Sequence, residues 1–190
     1  MLEGVGVSAY LGAAASISNP AYLTAAGSIL TVESRHSSYL RAAQKQSPFP
    51  EPFDSPLTFD EVYTLAAPFI VSCPDSNKAK PQLPLKAFPA LALATTGTIK
   101  AGDEITVNTP GYVLKAADGS SNIYAAFVVA TGPIYVDATP VDGGYKVTVP
   151  APASGLPNGQ SYLVLTGCKD AVNDDTVVAG PALIEITNDL

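Results

Sequence analysis

Glu33 and His36 stand three residues apart in an apolar stretch, and His36 is the only histidine among 190 residues. On a helix, residues at that spacing share a face. Ile29, Glu33, His36 and Leu40 therefore form one stripe, apolar at both ends. A Glu-x-x-His unit aimed inward from a helix is part of the donor set of two-metal carboxylate bundles. Such sites take a lone Glu from each of two helices and Glu-x-x-His from each of two more, and hold iron or manganese. Glu3, in the preceding helical segment, supplies a lone Glu. Three donors cannot hold two ions. Either a second copy or another chain completes the set, or the site is vestigial, with Glu33 paired to Arg35, Arg41 or a partner's base. The competing reading is a solvated helix face, with His36 near a helix C-terminus where the macrodipole favours a cation.

The elements that must carry these residues are legible. Residues 1–46 read as an αα-hairpin. One helix runs from Leu2 to about Ile17, with a seam of Leu2, Val5, Tyr10, Ala13 and Ile17. Its small residues Gly6, Ala9, Gly12 and Ala13 admit a close neighbour. Asn19 at N-cap and Pro20 at the first helical position start a second helix, which continues through His36 to Leu40 and Arg41. Tyr10, Tyr22 and Tyr39 read as packing residues. Residues 47–87 form a Pro-rich connector, since prolines at 48, 50, 52 and 56 fix φ and remove donors. Within it Thr58 and Glu61 make a capping box that opens a helix over about 58–72, kinked near Pro68. Asp75 to Pro84 reads as a linker.

From Phe88 the periodicity changes from 3.6 to 2. Seven short runs follow, at 90–94, 104–108, 123–131, 134–138, 145–149, 162–166 and 182–187. They are separated by turns such as Asp118-Gly119 and Asp142-Gly143-Gly144. Seven strands in about a hundred residues predict an immunoglobulin-like antiparallel β-sandwich over 88–190. The fold class is α+β: a helical hairpin, half of a bundle, joined to a sandwich.

Composition narrows the function. A net charge of −7 with scattered Lys and Arg argues against a nucleic-acid backbone or an anionic membrane as partner. No apolar run is long enough to span a bilayer. Yet mean hydropathy is +0.22 with 14% charged residues, so excess apolar surface must be covered from within the chain or by a partner. Cys73 and Cys168 are the only cysteines. An even pair suits one disulfide, Cys73 to Cys168, in an oxidising compartment; the competing reading is two buried free thiols. The N-terminus lacks a basic-flanked signal segment, so a secreted form would be a processed piece of a longer precursor.

Other chemistry is weak. The β-region has no His, which rules out a Ser-His-Asp set there. Asp170, Asn173, Asp174 and Asp175 lack Ca²⁺-loop spacing and read as a solvated turn. Gly4 and Gly6 precede no phosphate-binding turn. A carbohydrate-binding role for the sandwich is weakened by the absence of Trp.

Several strings resemble the second half of fungal secreted ferritin-like-domain proteins of the stress-response type. They are Glu3-Gly-Val-Gly-Val-Ser-Ala-Tyr-Leu-Gly-Ala-Ala, Ser28-Ile-Leu-Thr-Val-Glu-Ser-Arg-His36, Phe69-Ile-Val-Ser-Cys-Pro74, Leu85-Lys-Ala-Phe-Pro-Ala-Leu91, Tyr124-Ala-Ala-Phe127 and Val178-Ala-Gly-Pro-Ala182. The resemblance implies two further upstream helices with a Glu and a second Glu-x-x-His. It places Glu3 as the lone Glu of the third bundle helix, and Glu33 and His36 as the pair of the fourth. In size and character the chain is also similar to the small non-catalytic subunit of two-chain basidiomycete laccases. The resulting expectation is a secreted accessory protein without its own catalysis. Its helical face would dock on a secreted oxidase, a retained N-terminal fragment or a second copy. The alternative is a di-metal oxidoreductase or iron-handling protein completed by another chain.

Overall fold

The computed structural model describes residues 1–78, 84–151 and 157–188. Helix α1 spans Leu2–Ala13 and ends in a 3₁₀ turn over Ala14–Ser16. Asn19 then caps α2, Pro20–Ala43, its side chain accepting from the Ala21 N–H at 2.9 Å. The expected capping box is present. Thr58 Oγ1 accepts from the Glu61 N–H, and the Glu61 carboxylate accepts from the Thr58 N–H at 2.8 Å. It opens α3, Phe59–Ala66, which tightens to 3₁₀ at Ala67–Phe69 around Pro68. Part of the predicted linker is a single helical turn, α4, Asp75–Lys78, while 79–83 lie outside the described residues.

Seven strands follow: β1 Ala92–Leu93, β2 Glu104–Asn108, β3 Tyr124–Val128, β4 Ile134–Val141, β5 Gly144–Thr148, β6 Gly159–Thr166 and β7 Val177–Ile186. All the ladders between them are antiparallel, in the order β1-β2-β5-β4-β3-β6-β7. Split between β4 and β3, this is the four-plus-three strand order of an immunoglobulin-type sandwich. The split is incomplete. The first half of β4 (134–137) pairs with β3, and its second half (138–141) pairs with β5. A parallel bridge from Ile99 to Ile186 closes the opposite side, giving a nearly closed barrel.

The period-2 rule separates two cores. Ala125, Phe127, Leu163 and Leu165 point between the sheets and meet Ile105, Val107, Val147, Val149 and Ile184. Their neighbours Ala126, Val128, Tyr162 and Val164 point the other way, into a second cluster with Val5 of α1 and Leu57. Strands β3, β6 and β7 are thus covered on both faces. That is why they read as continuous apolar runs, while β2 and β5 alternate.

Two expectations are corrected. Cys73 and Cys168 are both free thiols, so the predicted bridge is not formed. An even count fixes no distance, and a disulfide needs Cα atoms within about 7 Å with converging Cβ vectors. Cys73 lies on an exposed stretch after α3, whereas Cys168 is half-buried behind β6 with its thiol near the Ala171 carbonyl. Secondly, Tyr22 and Tyr39 do not pack: they are 70% and 76% exposed.

Candidate functional site

Helix α1 is held on the outer face of β3, β6 and β7, and three glycines explain how closely. A Cβ on Gly12 would lie 1.9 Å from the Leu57 carbonyl oxygen, so the Pro-rich segment crosses α1 in direct backbone contact. The Leu57 N–H donates to Ser8 O there. A Cβ on Gly4 would overlap the Gln160 side chain, and one on Gly6 would lie 2.1 Å from Glu33 Oε2. Each small residue seats a different neighbour. Beneath them Tyr162 is a buried hub: its hydroxyl accepts from Ser8 Oγ and Gln160 Nε2 and donates to Gly4 O.

Helix α2 packs on α1 but has little else above it. Its 24 residues span about 36 Å, and only Ala26 is fully buried. The side turned to α1 and the strap carries Ala26, Leu30, Ser34, Ser37 and Arg41. The other side presents Tyr22, Ile29 and Leu40 to solvent, with Met1 and Leu2 of α1 exposed as well.

Glu33 and His36 lie where these two sides meet. His36 Nδ1 is 3.2 Å from Glu3 Oε2, joining the two predicted donors on different helices. The imidazole is 58% exposed and the Glu3 side chain 35%. Glu33 is the unusual member. Its Oε2 is buried against Gly6 and has no hydrogen-bond partner. Burial pushes its pKa up first, the like charge of Glu3 pushes the same way, and His36 pulls it back. A buried carboxylate oxygen without a partner costs stability, so the folded chain carries a local deficit at this point. The two bases considered for Glu33 do not serve it. Arg41 is spent on a two-pronged pair with Glu185, at 2.8 and 3.1 Å.

The structure brings His36 within 3.2 Å of Glu3, with Glu33 beside both. The donor set does not fit a two-metal centre by itself. It supplies three groups, and no trio of His, Cys, Asp or Glu among the described residues is disposed to hold an ion. The acidic loop after β6 is a turn, with Asn173 Oδ1 accepting from the Asp175 and Thr176 N–H groups. Sequence reasoning missed the Tyr162 hub and the Gly6 seat. The first is a contact across more than 150 positions. The second was hinted at by the run of small residues on α1.

Comparison with known families matches the ferritin-like domain to residues 1–46. The likeness covers the helical hairpin and stops before the Pro-rich segment. No curated protein matches the chain. No described helix is long and apolar enough to cross a membrane.

Proposed function

We propose that this chain is a non-catalytic interaction protein whose open α1–α2 face seats a partner chain. One observation carries the reading. An apolar stripe of Tyr22, Ile29 and Leu40 stands exposed beside Glu33, whose buried oxygen lacks a partner. Each 100 Å² of apolar surface covered there is worth about 2.5 kcal/mol of gross driving force. The ferritin-like match supports a helical companion, because in that fold this face belongs to a bundle interior. On the strength of the sequence resemblance, the setting is a fungal secreted accessory subunit, with an extracellular oxidase such as a laccase as partner.

A second reading rests on the same oxygen. Glu3, Glu33 and His36 would be half of a di-metal carboxylate set that another chain completes, binding iron or manganese. Elemental analysis of chelator-free material separates the two. Less than one ion per two chains, or no loss of metal on His36→Ala, rules the second reading out.

The docking proposal is tested by sedimentation velocity and native mass spectrometry of the chain with a laccase large subunit, with the upstream fragment, and alone. The expected result is a stoichiometric complex that the double variant Ile29→Ser/Leu40→Ser fails to form. A monomer in every mixture that binds no ANS would overturn it.

A further inference from the structure

The opposite flank of α2 holds a feature unrelated to the open face. The Pro-rich strap arches from the end of α2 across to β6 and borders a half-open cavity of about 200 Å³ between α1, α2, the strap and the sheet. That volume is less than drug-sized pockets provide.

Its frame is preformed. The Tyr162 hydroxyl, at the floor, makes one donor and two acceptor contacts and is fully occupied. The strap is pinned by the Asn158 N–H on Glu51 Oε1 at 2.8 Å, by Asn158 Nδ2 on Pro50 O at 3.0 Å, and by Arg41 Nε on Ser47 O at 2.7 Å. Gly159, at φ +65°, leaves room where Pro50 crosses it. With both amino groups of Arg41 committed to Glu185, that cation is not available to a ligand.

What remains facing the cavity is a particular chemistry. Helix α2 contributes the hydroxyl residues Ser34 and Ser37, and the strap contributes the carboxyls of Glu51 and Asp54. Phe49 and Phe53 stand exposed among the lining residues of the strap. An anion would meet two carboxyls and no uncommitted cation. A wholly apolar ligand would strand the hydroxyls. A neutral polyol satisfies both: its O–H groups donate to the carboxyls, it accepts from the serines, and its C–H faces lie on aromatic rings. Burial lifts Glu51 to about 7, so near neutral pH that carboxyl both donates and accepts.

We propose that this cavity binds one neutral pyranose ring through its ring hydroxyls. The ring is either a free monosaccharide or the terminal unit of a glycan. Missing Trp counts against sugar binding by the sandwich; this site lies at the strap and uses Phe49 and Phe53.

The test is a titration of the ¹⁵N-labelled full chain, first with methyl glucoside and methyl mannoside, then with the corresponding trisaccharides. Saturable shifts at Ser37, Glu51, Asn158 and Gln160 are expected with Kd in the millimolar range. Tighter trisaccharide binding identifies a glycan end; equal binding identifies the free sugar. Ser37→Phe fills the cavity and should abolish the shifts. Should that variant not fold, Phe49→Ala/Phe53→Ala removes only exposed rings and should weaken binding about fivefold. No saturable shift at ~100 mM sugar, where a millimolar site is filled, overturns the proposal. So does undiminished binding by a folded Ser37→Phe variant, or glucuronate binding as tightly as the neutral glycosides.

Discussion

The two helices of the hairpin lie side by side, yet they meet opposite surroundings. Helix α1 is enclosed by the sheet on one side and α2 on another, with Val5 and Val7 buried and Ser8 wired to Tyr162. Helix α2 has one covered side and one that shows tyrosine, isoleucine and leucine to water. The match to the ferritin-like domain spans both. What separates them is which surface of each the sandwich already occupies. The covered helix is architecture; the half-covered one carries the face on which docking is proposed.

Four measurements break or sharpen that contrast. The largest effect is expected at Gly12, because any side chain there strikes the Leu57 backbone rather than a movable group. Gly12→Leu should lower stability by about 3 kcal/mol, read by denaturant unfolding. A loss under 1 kcal/mol would show that α1 is not held as described.

Glu51 comes next. Burial raises its pKa from 4.5 to about 7 against the opposing Asn158 N–H. Because the folded value exceeds the unfolded one, the protonated form is favoured by folding. The penalty is absent below pH ~4.5, grows up to about 7, and is constant above that. The full shift corresponds to about 3 kcal/mol, which solvent screening at this partly open position reduces to about 1–2. Glu51→Gln should therefore be more stable than the parent near pH 8 and equal to it near pH 4. A difference that does not change with pH contradicts the assignment.

Glu33→Leu removes the unpartnered buried oxygen and should raise stability by about 1 kcal/mol, or 2–4 °C in Tm. A drop in Tm would mean that Glu33 is satisfied in the free chain. The smallest effect is expected for Ile29→Ser/Leu40→Ser, within about 0.5 kcal/mol per substitution in the isolated chain, since those side chains are 41% and 44% exposed. A cost above 2 kcal/mol would mean α2 is covered after all.

The sequence announced what is local. Asn19-Pro20, the Thr58–Glu61 box and the seven strand runs rest on neighbours in the chain, and they sit where their chemistry requires. The corner of Glu3, Glu33 and His36 was legible for the same reason, helical spacing plus one short loop. What failed was non-local. Cysteine parity carried no distance, so Cys73 and Cys168 were joined on arithmetic. Tyr22 and Tyr39 were assigned to packing because apolar size does not reveal which side of a helix has a neighbour. The docking of α1 on the sheet left one trace, the unbroken apolar character of β3 and β6. A strand with water on one side would alternate.

The pair between Arg41 and Glu185 has a mechanical meaning. It fastens the last turn of α2 to β7, with Arg41 only 12% exposed. On the docking proposal, torque applied to the hairpin by a companion would pass into the barrel through this pair. The chain should tumble as one rigid body, with the helices serving as its handle.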